Sequence, residues 1–176
     1  MLKHRRILLL TLAASMAALS LALDLVSLHS DVMKITIYGL PLLLCGYLFG
    51  PLAGALAGLV EGFLSQVIFY GVTPTTPLWM IAPILWGLLP GLCSKWIKKE
   101  KKFQFSSCLL VALSTSIFIT GVNSLALYLD GLIMHYPTTF VLTGLVWRLV
   151  TSMLTSILYL FTLYEIGPRV EKVISR

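Results

Sequence analysis

Residues 50–62 read GPLAGALAGLVEG, an apolar stretch with regularly spaced glycines and one acid. Its glycines, at 50, 54, 58 and 62, recur at every fourth position and so share one face of a helix. In a membrane helix such a row of small residues lets a second helix approach closely. Glu61, beside the last glycine, is turned by about 100° from this row, so its carboxylate is expected to point beside that contact, toward the interior or another helix. A charge inside so apolar a segment indicates a functional site or an internal ion pair.

The composition of the whole chain indicates an integral membrane protein. Of the 176 residues, 58% are hydrophobic and only 11% are charged, and the mean hydropathy is +0.94. Soluble domains average about 45–50% apolar and about 25% charged residues. A helix needs about 20 residues to cross the hydrocarbon core, so the length allows roughly six spans with short loops. The predicted fold class is an all-α integral membrane protein, with six transmembrane helices in one compact bundle and a single domain over residues 1–176.

Proline, glycine and charged residues mark the ends of the predicted spans. The segment FGP at 49–51 predicts a very tight turn, because Gly50 relaxes the backbone and Pro51 suits the first turn of a helix. The first span follows KHRR at 3–6 and is interpreted as a retained helix, although a secretory signal has a similar pattern. The six spans are expected at about 7–26, 35–49, 52–71, 78–94, 107–129 and 139–165.

The basic residues predict the orientation in the membrane. Eleven of the thirteen Lys and Arg residues fall at the N-terminus, in the 95–102 loop or at the C-terminus. These three segments share one side of a six-span bundle, and basic loops favour the cytoplasm. Both termini are therefore predicted to be cytoplasmic. The opposite connections hold one basic residue, Lys34, and three acids, Asp24, Asp31 and Asp130.

Two charged residues fall inside predicted spans, Glu61 and Arg148. Counted from the outer ends of spans three and six, both lie roughly 14–15 Å below the outer surface. Equal depth allows an ion pair that only fastens two helices. Equal depth also allows at least one of them to contact a ligand. In a third alternative, the two side chains do not touch.

Further polar and aromatic residues collect in the outer halves of the spans and predict an outward-facing pocket. Pro74 and Pro77 stiffen the outer loop and remove two backbone donors, which suits a fixed lid or mouth. The alternative interpretation is an aromatic belt with ordinary loop polarity, since Trp and Tyr favour membrane interfaces. The candidate pocket residues besides Glu61 and Arg148 are Gln66, Tyr70, Thr75, Trp79 and Asn123.

Motifs of catalysis and metal binding are missing from the sequence. There is no GxxxxGK[ST], HExxH or GxSxG pattern, so enzyme chemistry has little support. His4, His29 and His135 are scattered, and the three cysteines show no ligand spacing, so no metal site is expected. The first span does carry alanines at spacings of four, which lay a smooth stripe along a helix. These are Ala13, Ala14, Ala17, Ala18 and Ala22.

The architecture and one long motif resemble a known family. Six short spans, the alanine stripe and KITIYGLPLLLCGYLFGPLAGALAGLVEG at 34–62 are similar to the substrate-binding S components of energy-coupling factor (ECF) vitamin transporters, nearest to their folate-type branch. The resemblance implies a multi-pass protein of a bacterial cell membrane that binds a vitamin from outside. It also implies docking through the alanine stripe on a membrane scaffold subunit with two ATPases, so that ATP is used by these partners and this chain needs no cofactor.

Carried onto this chain, the family's outer loops correspond to 29–34 and 71–77, which adds His29 and Lys34 to the candidate substrate-binding residues. The folate-type branch usually has Asp where Glu61 stands, and a different outer loop where this chain has YGVTPTTPLW, so the substrate stays open. If Glu61 does not neutralise Arg148, the guanidinium suits the carboxylate of folate or pantothenate. A closed Glu61–Arg148 pair leaves a pyrimidine, a pyridoxine-like ring or a corrinoid such as cobalamin equally compatible.

Three other functions compete with a vitamin-binding subunit. A stand-alone channel or secondary carrier would be expected to show internal repeats or interrupted helices in matching positions, and no convincing repeat is found. An intramembrane enzyme would need at least two positioned catalytic groups. A structural or interaction subunit of another membrane complex is the third alternative.

Overall fold

The computed structural model describes residues 2–26, 28–29, 34–35, 37–97, 99–135, 137 and 139–174. A two-stranded antiparallel hairpin, β1 (Leu28–His29) and β2 (Lys34–Ile35), follows the first helix. A short 3-10 turn, Lys99–Lys101, precedes the fifth helix, and a π-helical segment, Thr162–Ile166, joins the last two. The α-helices are α1 (Leu2–Leu25), α2 (Gly39–Phe49), α3 (Pro51–Tyr70), α4 (Thr76–Trp96), α5 (Phe105–Met134), α6 (Thr139–Phe161) and α7 (Gly167–Ile174).

The predicted fold class, a helical membrane protein, is confirmed. Within the described residues, four helical segments are long and apolar enough to cross a membrane, by length and composition. Two shorter apolar helices, Leu9–Leu25 and Gly39–Phe49, accompany them. The four long segments are Pro51–Tyr70, Thr76–Trp96, Phe105–Met134 and Leu145–Val173.

The segment between α1 and α2 differs from the expected continuous helix. The second span was expected from residue 35, but Lys34 and Ile35 pair with His29 and Leu28 in the hairpin, and α2 begins at Gly39. With 11 residues, α2 is about 16 Å long, shorter than a hydrocarbon core of about 30 Å. Eight of its 11 residues are buried, and the helix contacts α1, α3 and α4. The helix therefore fills the interior of the bundle without crossing the core by its own length.

The glycine row of α3 lies against α4, as its spacing predicts. A methyl group at Gly54 would collide with the Gly87 carbonyl, and one at Gly58 with the Pro83 carbonyl. The row is confirmed for Gly54, Gly58 and Gly62. Gly50 instead forms the turn before Pro51 with φ +99°, a backbone conformation that side chains rarely allow, and a methyl group there would meet nothing. The two helices thus approach backbone to backbone.

We expect Gly54→Ala to lower the unfolding free energy by about 1–3 kcal/mol, because the added methyl group overpacks the α3–α4 contact. Gly121→Ala is the matched control, since Gly121 lies within α5 and its added methyl group would meet nothing within 4 Å. The control should be neutral or stabilising by about 0.5–1 kcal/mol. Thermal unfolding of the purified protein in detergent measures both, and equal stability of the two variants would contradict the packing argument.

The end of the bundle opposite the α3–α4 connection is fastened around Lys102. Its ammonium nitrogen lies 2.8 Å from Glu171 Oε1, and its carbonyl accepts a hydrogen bond from the Tyr47 hydroxyl. The ring of Phe103 packs so closely on Gly167 that a β-carbon there would lie 2.6 Å from it. These contacts hold α7 against the α4–α5 connection, at the end farthest from the 71–75 loop.

Candidate functional site

A cavity of about 700 Å³ lies among α1, α3, α4, α5 and α6. Its lining includes Tyr70, Thr73 and Thr75 around the α3–α4 connection and Met134 at the end of α5. The cavity therefore occupies the end of the bundle where α3 joins α4 and α5 joins α6. Its volume falls within the range of about 300–1,000 Å³ that is usual for small-molecule sites.

Five cavity residues form what we call the acid–aromatic cluster: Asp24, Tyr38, Glu61, Trp86 and Tyr159. Asp24, Glu61 and Tyr159 are each only 1% exposed. The Tyr38 hydroxyl interacts electrostatically with both carboxylates and accepts a hydrogen bond from the Trp86 indole. The rings of Trp86 and Tyr159 meet edge to face, with centroids 4.6 Å apart and planes at 68°. Four helices and the residue before α2 thus bring acids and aromatic rings to one place.

Asp24 is the member of this cluster that was assigned to an outer connection. It is the next-to-last residue of α1, and its Oδ2 accepts a hydrogen bond of 2.8 Å from the buried Ser65 hydroxyl of α3. Burial of a carboxylate is costly unless hydrogen bonds or charges compensate it. Its burial was not predictable from the sequence, because an acid at the end of an apolar span is also typical of a loop.

Two helices each present a row of polar side chains to the cavity. The row on α6 is Arg148, Thr151, Ser152, Thr155 and Tyr159. The row on α5 is Ser116, Thr120, Asn123 and Asp130. Of these residues, only Arg148 and Asn123 were predicted from the sequence to line a pocket. The spacing of three and four residues was the signal that could have found the others, since it places them on one helical face.

Two hydroxyl groups in these rows point to a polar ligand. Ser116 and Ser152 are 2% and 7% exposed, and among the described residues their hydroxyl oxygens have no hydrogen-bond partner. A buried hydroxyl without a partner is destabilising. Both serines line the cavity, so a bound molecule could satisfy them.

The α3–α4 connection is held by its own threonines. The Thr73 amide donates to Thr76 Oγ1 at 2.9 Å, and the Thr73 hydroxyl lies 3.2 Å from the hydroxyls of both Thr75 and Thr76. Thr75 and Thr76 are 3% and 5% exposed. These contacts fit the expectation, drawn from Pro74 and Pro77, that the loop is a fixed mouth.

Seven of the nine candidate substrate-binding residues line this one cavity: Glu61, Gln66, Tyr70, Thr75, Trp79, Asn123 and Arg148. The other two, His29 and Lys34, have backbones in the hairpin, and their side chains lie outside the described part of the chain. Because Glu61 and Arg148 share the cavity, an ion pair between them stays a prediction, as does a role of either toward a ligand.

The alanine stripe of α1 divides into an internal and an external face. Ala13 and Ala17 are 5% and 2% exposed and belong to the hydrophobic core, whereas Ala14, Ala18 and Ala22 are exposed. Placing Ala13 and Ala17 on a docking surface was therefore wrong: they lie about 100° around the helix from their exposed neighbours and already pack inside the chain. The exposed row of Ala14, Ala18 and Ala22 is called the alanine face below.

Comparison with known proteins gives one result. The sequence model of a family described as "ECF transporter, substrate-specific component" matches residues 8–166. No curated protein matches the chain significantly. The matched range contains α2–α6, the cavity and the alanine face.

Proposed function

Because the chain belongs to the family of ECF transporter substrate-specific components, we propose that it captures a small micronutrient in the cavity and passes it inward with partner subunits. As a member of this family the chain is a membrane transport subunit, and no enzymatic activity is proposed for it. The observation that carries the proposal is the cavity of about 700 Å³, which collects acids, aromatic rings and buried hydroxyls in an otherwise apolar bundle. Polar groups at membrane depth are costly and are usually functional.

The micronutrient is proposed to enter from outside. The cavity lies at the end with the 71–75 loop, and the opposite end carries the basic 95–102 segment, which favours the cytoplasm. This arrangement supports cytoplasmic termini in a bacterial cell membrane. The family match does not separate the folate-type branch from the others, so a folate-type substrate remains one option beside pantothenate, a pyrimidine or a pyridoxine-like ring. A corrinoid such as cobalamin, the largest of the options, is the least suited to a cavity of this volume.

The partners proposed are a membrane scaffold subunit and two ATPase subunits. The alanine face, Ala14, Ala18 and Ala22, is the smooth surface on α1 that could pack against a helix of the scaffold, because small residues allow close helix contact. ATP would be used by the ATPases, and this chain would need no cofactor of its own.

The binding half of this function can be tested on the purified chain alone. We expect the protein in detergent to bind one small molecule per chain without ATP and without partners. Isothermal titration against a panel of water-soluble micronutrients measures this. Failure of every micronutrient to bind a folded, monodisperse protein would contradict the proposal.

A further inference from the structure

The described lining of the cavity is rich in hydrogen-bond acceptors. It contains three carboxylates, Asp24, Glu61 and Asp130, and one guanidinium, Arg148. An ionised carboxylate only accepts hydrogen bonds and offers about four lone-pair positions. One guanidinium can balance only one carboxylate, so acidic side chains outnumber basic ones in the described lining. A ligand that donates N–H groups, with or without a positive charge, would offset the cost of burying these acids.

The same cavity offers surfaces for a flat ring. Trp86 and Tyr159, in edge-to-face contact, line it together with Trp79 and Tyr38. Aromatic side chains bind another ring by offset or edge-to-face contact. Glu61, 1% exposed, lines the same cavity as these rings. The two carboxylate oxygens of Glu61 and the aromatic rings therefore belong to the lining of the same cavity.

We propose that the cavity binds a heteroaromatic ring that carries an amino group beside a protonated ring nitrogen, with Glu61 accepting from both donors while the ring lies against Trp86 and Tyr159. The inference rests on the proposed function and narrows its substrate class. Two parallel donors match the two oxygens of one carboxylate, which is the geometry of the strongest charge-assisted hydrogen bonds. The hydroxyls of Ser116 and Ser152 serve the remaining polar atoms of the ligand.

Two other ligand classes fit the lining less well. An aliphatic ammonium would satisfy the acids but would leave the ring surfaces without a flat partner. A carboxylate without an amino-bearing ring would find one cation, Arg148, and three acids among the described lining residues. Among the described residues, no three His, Cys, Asp or Glu side chains are grouped as metal ligands would be, so the acids are not assigned to a metal ion.

The first test identifies the ligand and compares matched rings. Native and tandem mass spectrometry of the purified protein determines which small molecule co-purifies. Titration then compares two pairs that differ by an amino-to-oxo exchange beside a ring N–H, pterin with lumazine and isocytosine with uracil. We expect an amino-bearing ring in the co-purified molecule, or at least about tenfold tighter binding of the amino member in one pair.

The second test replaces one of the two acceptor oxygens of Glu61 with a donor. Glu61→Gln replaces one acceptor with an N–H donor, which complements a ring N–H beside a carbonyl, so the preference should shift from the amino member toward the oxo member. Glu100→Gln, the same change at an exposed residue near the far end, should leave the preference unchanged. If a folded Glu61→Gln protein loses affinity for the amino member and the oxo member equally, the assignment of Glu61 is overturned.

The outcomes separate this inference from the proposed function. If the protein binds a micronutrient that lacks an amino-bearing ring, or binds both members of each pair equally, the substrate class is wrong while the binding function stands. If a folded protein binds no micronutrient and no probe, both are wrong. Should Glu61→Gln fail to fold, the comparison of the matched rings on the unaltered protein still decides the substrate class.

Discussion

Replacing Ala18 with tryptophan is expected to abolish ATP-dependent uptake while changing ligand affinity by no more than about twofold. Ala18 lies in the middle of the alanine face and is exposed, so the bulky ring should leave folding and the cavity intact. Surface substitutions usually change stability by about 0.5 kcal/mol or less. The same ring would hold a scaffold helix away from a surface where close approach depends on small residues. Uptake into proteoliposomes and titration of the purified protein measure the two effects.

Ala17→Trp is the matched control on the adjacent residue. Ala17 is 2% exposed and packs in the core, so a tryptophan there should reduce thermal stability and ligand binding together. If Ala18→Trp loses binding and stability as Ala17→Trp does, its effect on uptake would reflect misfolding. If Ala18→Trp transports normally, the alanine face is not the docking surface.

Neutralising Glu61 is expected to lower ligand affinity by at least about tenfold, and neutralising Arg148 as well is not expected to restore it. A hydrogen bond to a charged group contributes about 1.5–3 kcal/mol, which corresponds to roughly 10- to 150-fold in affinity. The experiment is a double-mutant cycle of Glu61→Gln, Arg148→Gln and both, read by titration and by thermal unfolding.

A purely structural ion pair gives a different pattern in this cycle. Removing one partner of a buried pair leaves the other charge uncompensated and is costly, whereas removing both can be nearly neutral. Recovery of stability and of affinity in the double variant would therefore assign Glu61 and Arg148 to fastening helices. Glu165→Gln is a suitable control, because the Glu165–Arg169 pair of 3.2 Å is exposed and exposed pairs contribute little.

The sequence predicted the membrane class and the α3–α4 contact because both depend on strong, local patterns. High hydropathy over whole segments indicates helices that lie in a bilayer, and a four-residue glycine period places Gly54, Gly58 and Gly62 on one face. The hairpin of Leu28–His29 with Lys34–Ile35 was missed, because two-residue strands are too short to show an alternating pattern.

The two faces of α1 could not be told apart from the sequence. Ala13 and Ala17 share the same four-residue spacing as Ala14 and Ala18, and which row faces the core depends on where α2 and α3 pack. Burial of Ser20 and Asp24 on the inner face adds polar residues where an apolar face would be expected. A search for apolar periodicity alone therefore gives no preference for either row.

The polar row of α6 shows a second limit. Thr151 and Thr155 also hydrogen-bond to backbone carbonyls one turn earlier, at 3.0 and 2.9 Å. Ser and Thr commonly do this in helices and need no ligand for it. Thr151 and Thr155 indicate a binding site only when Arg148, Ser152 and Tyr159 are found on the same helical face. This requires the three- and four-residue spacing to be followed along the whole helix.

Uptake by proteoliposomes tests the central claim most directly. The purified chain, reconstituted alone or with a scaffold subunit and two ATPases, is supplied with the labelled micronutrient that it binds, with ATP inside or with an ion gradient. The proposed function predicts binding by the chain alone and accumulation only when the partners and ATP are present. Accumulation driven by an ion gradient in the absence of partners would contradict it and would identify a self-sufficient carrier.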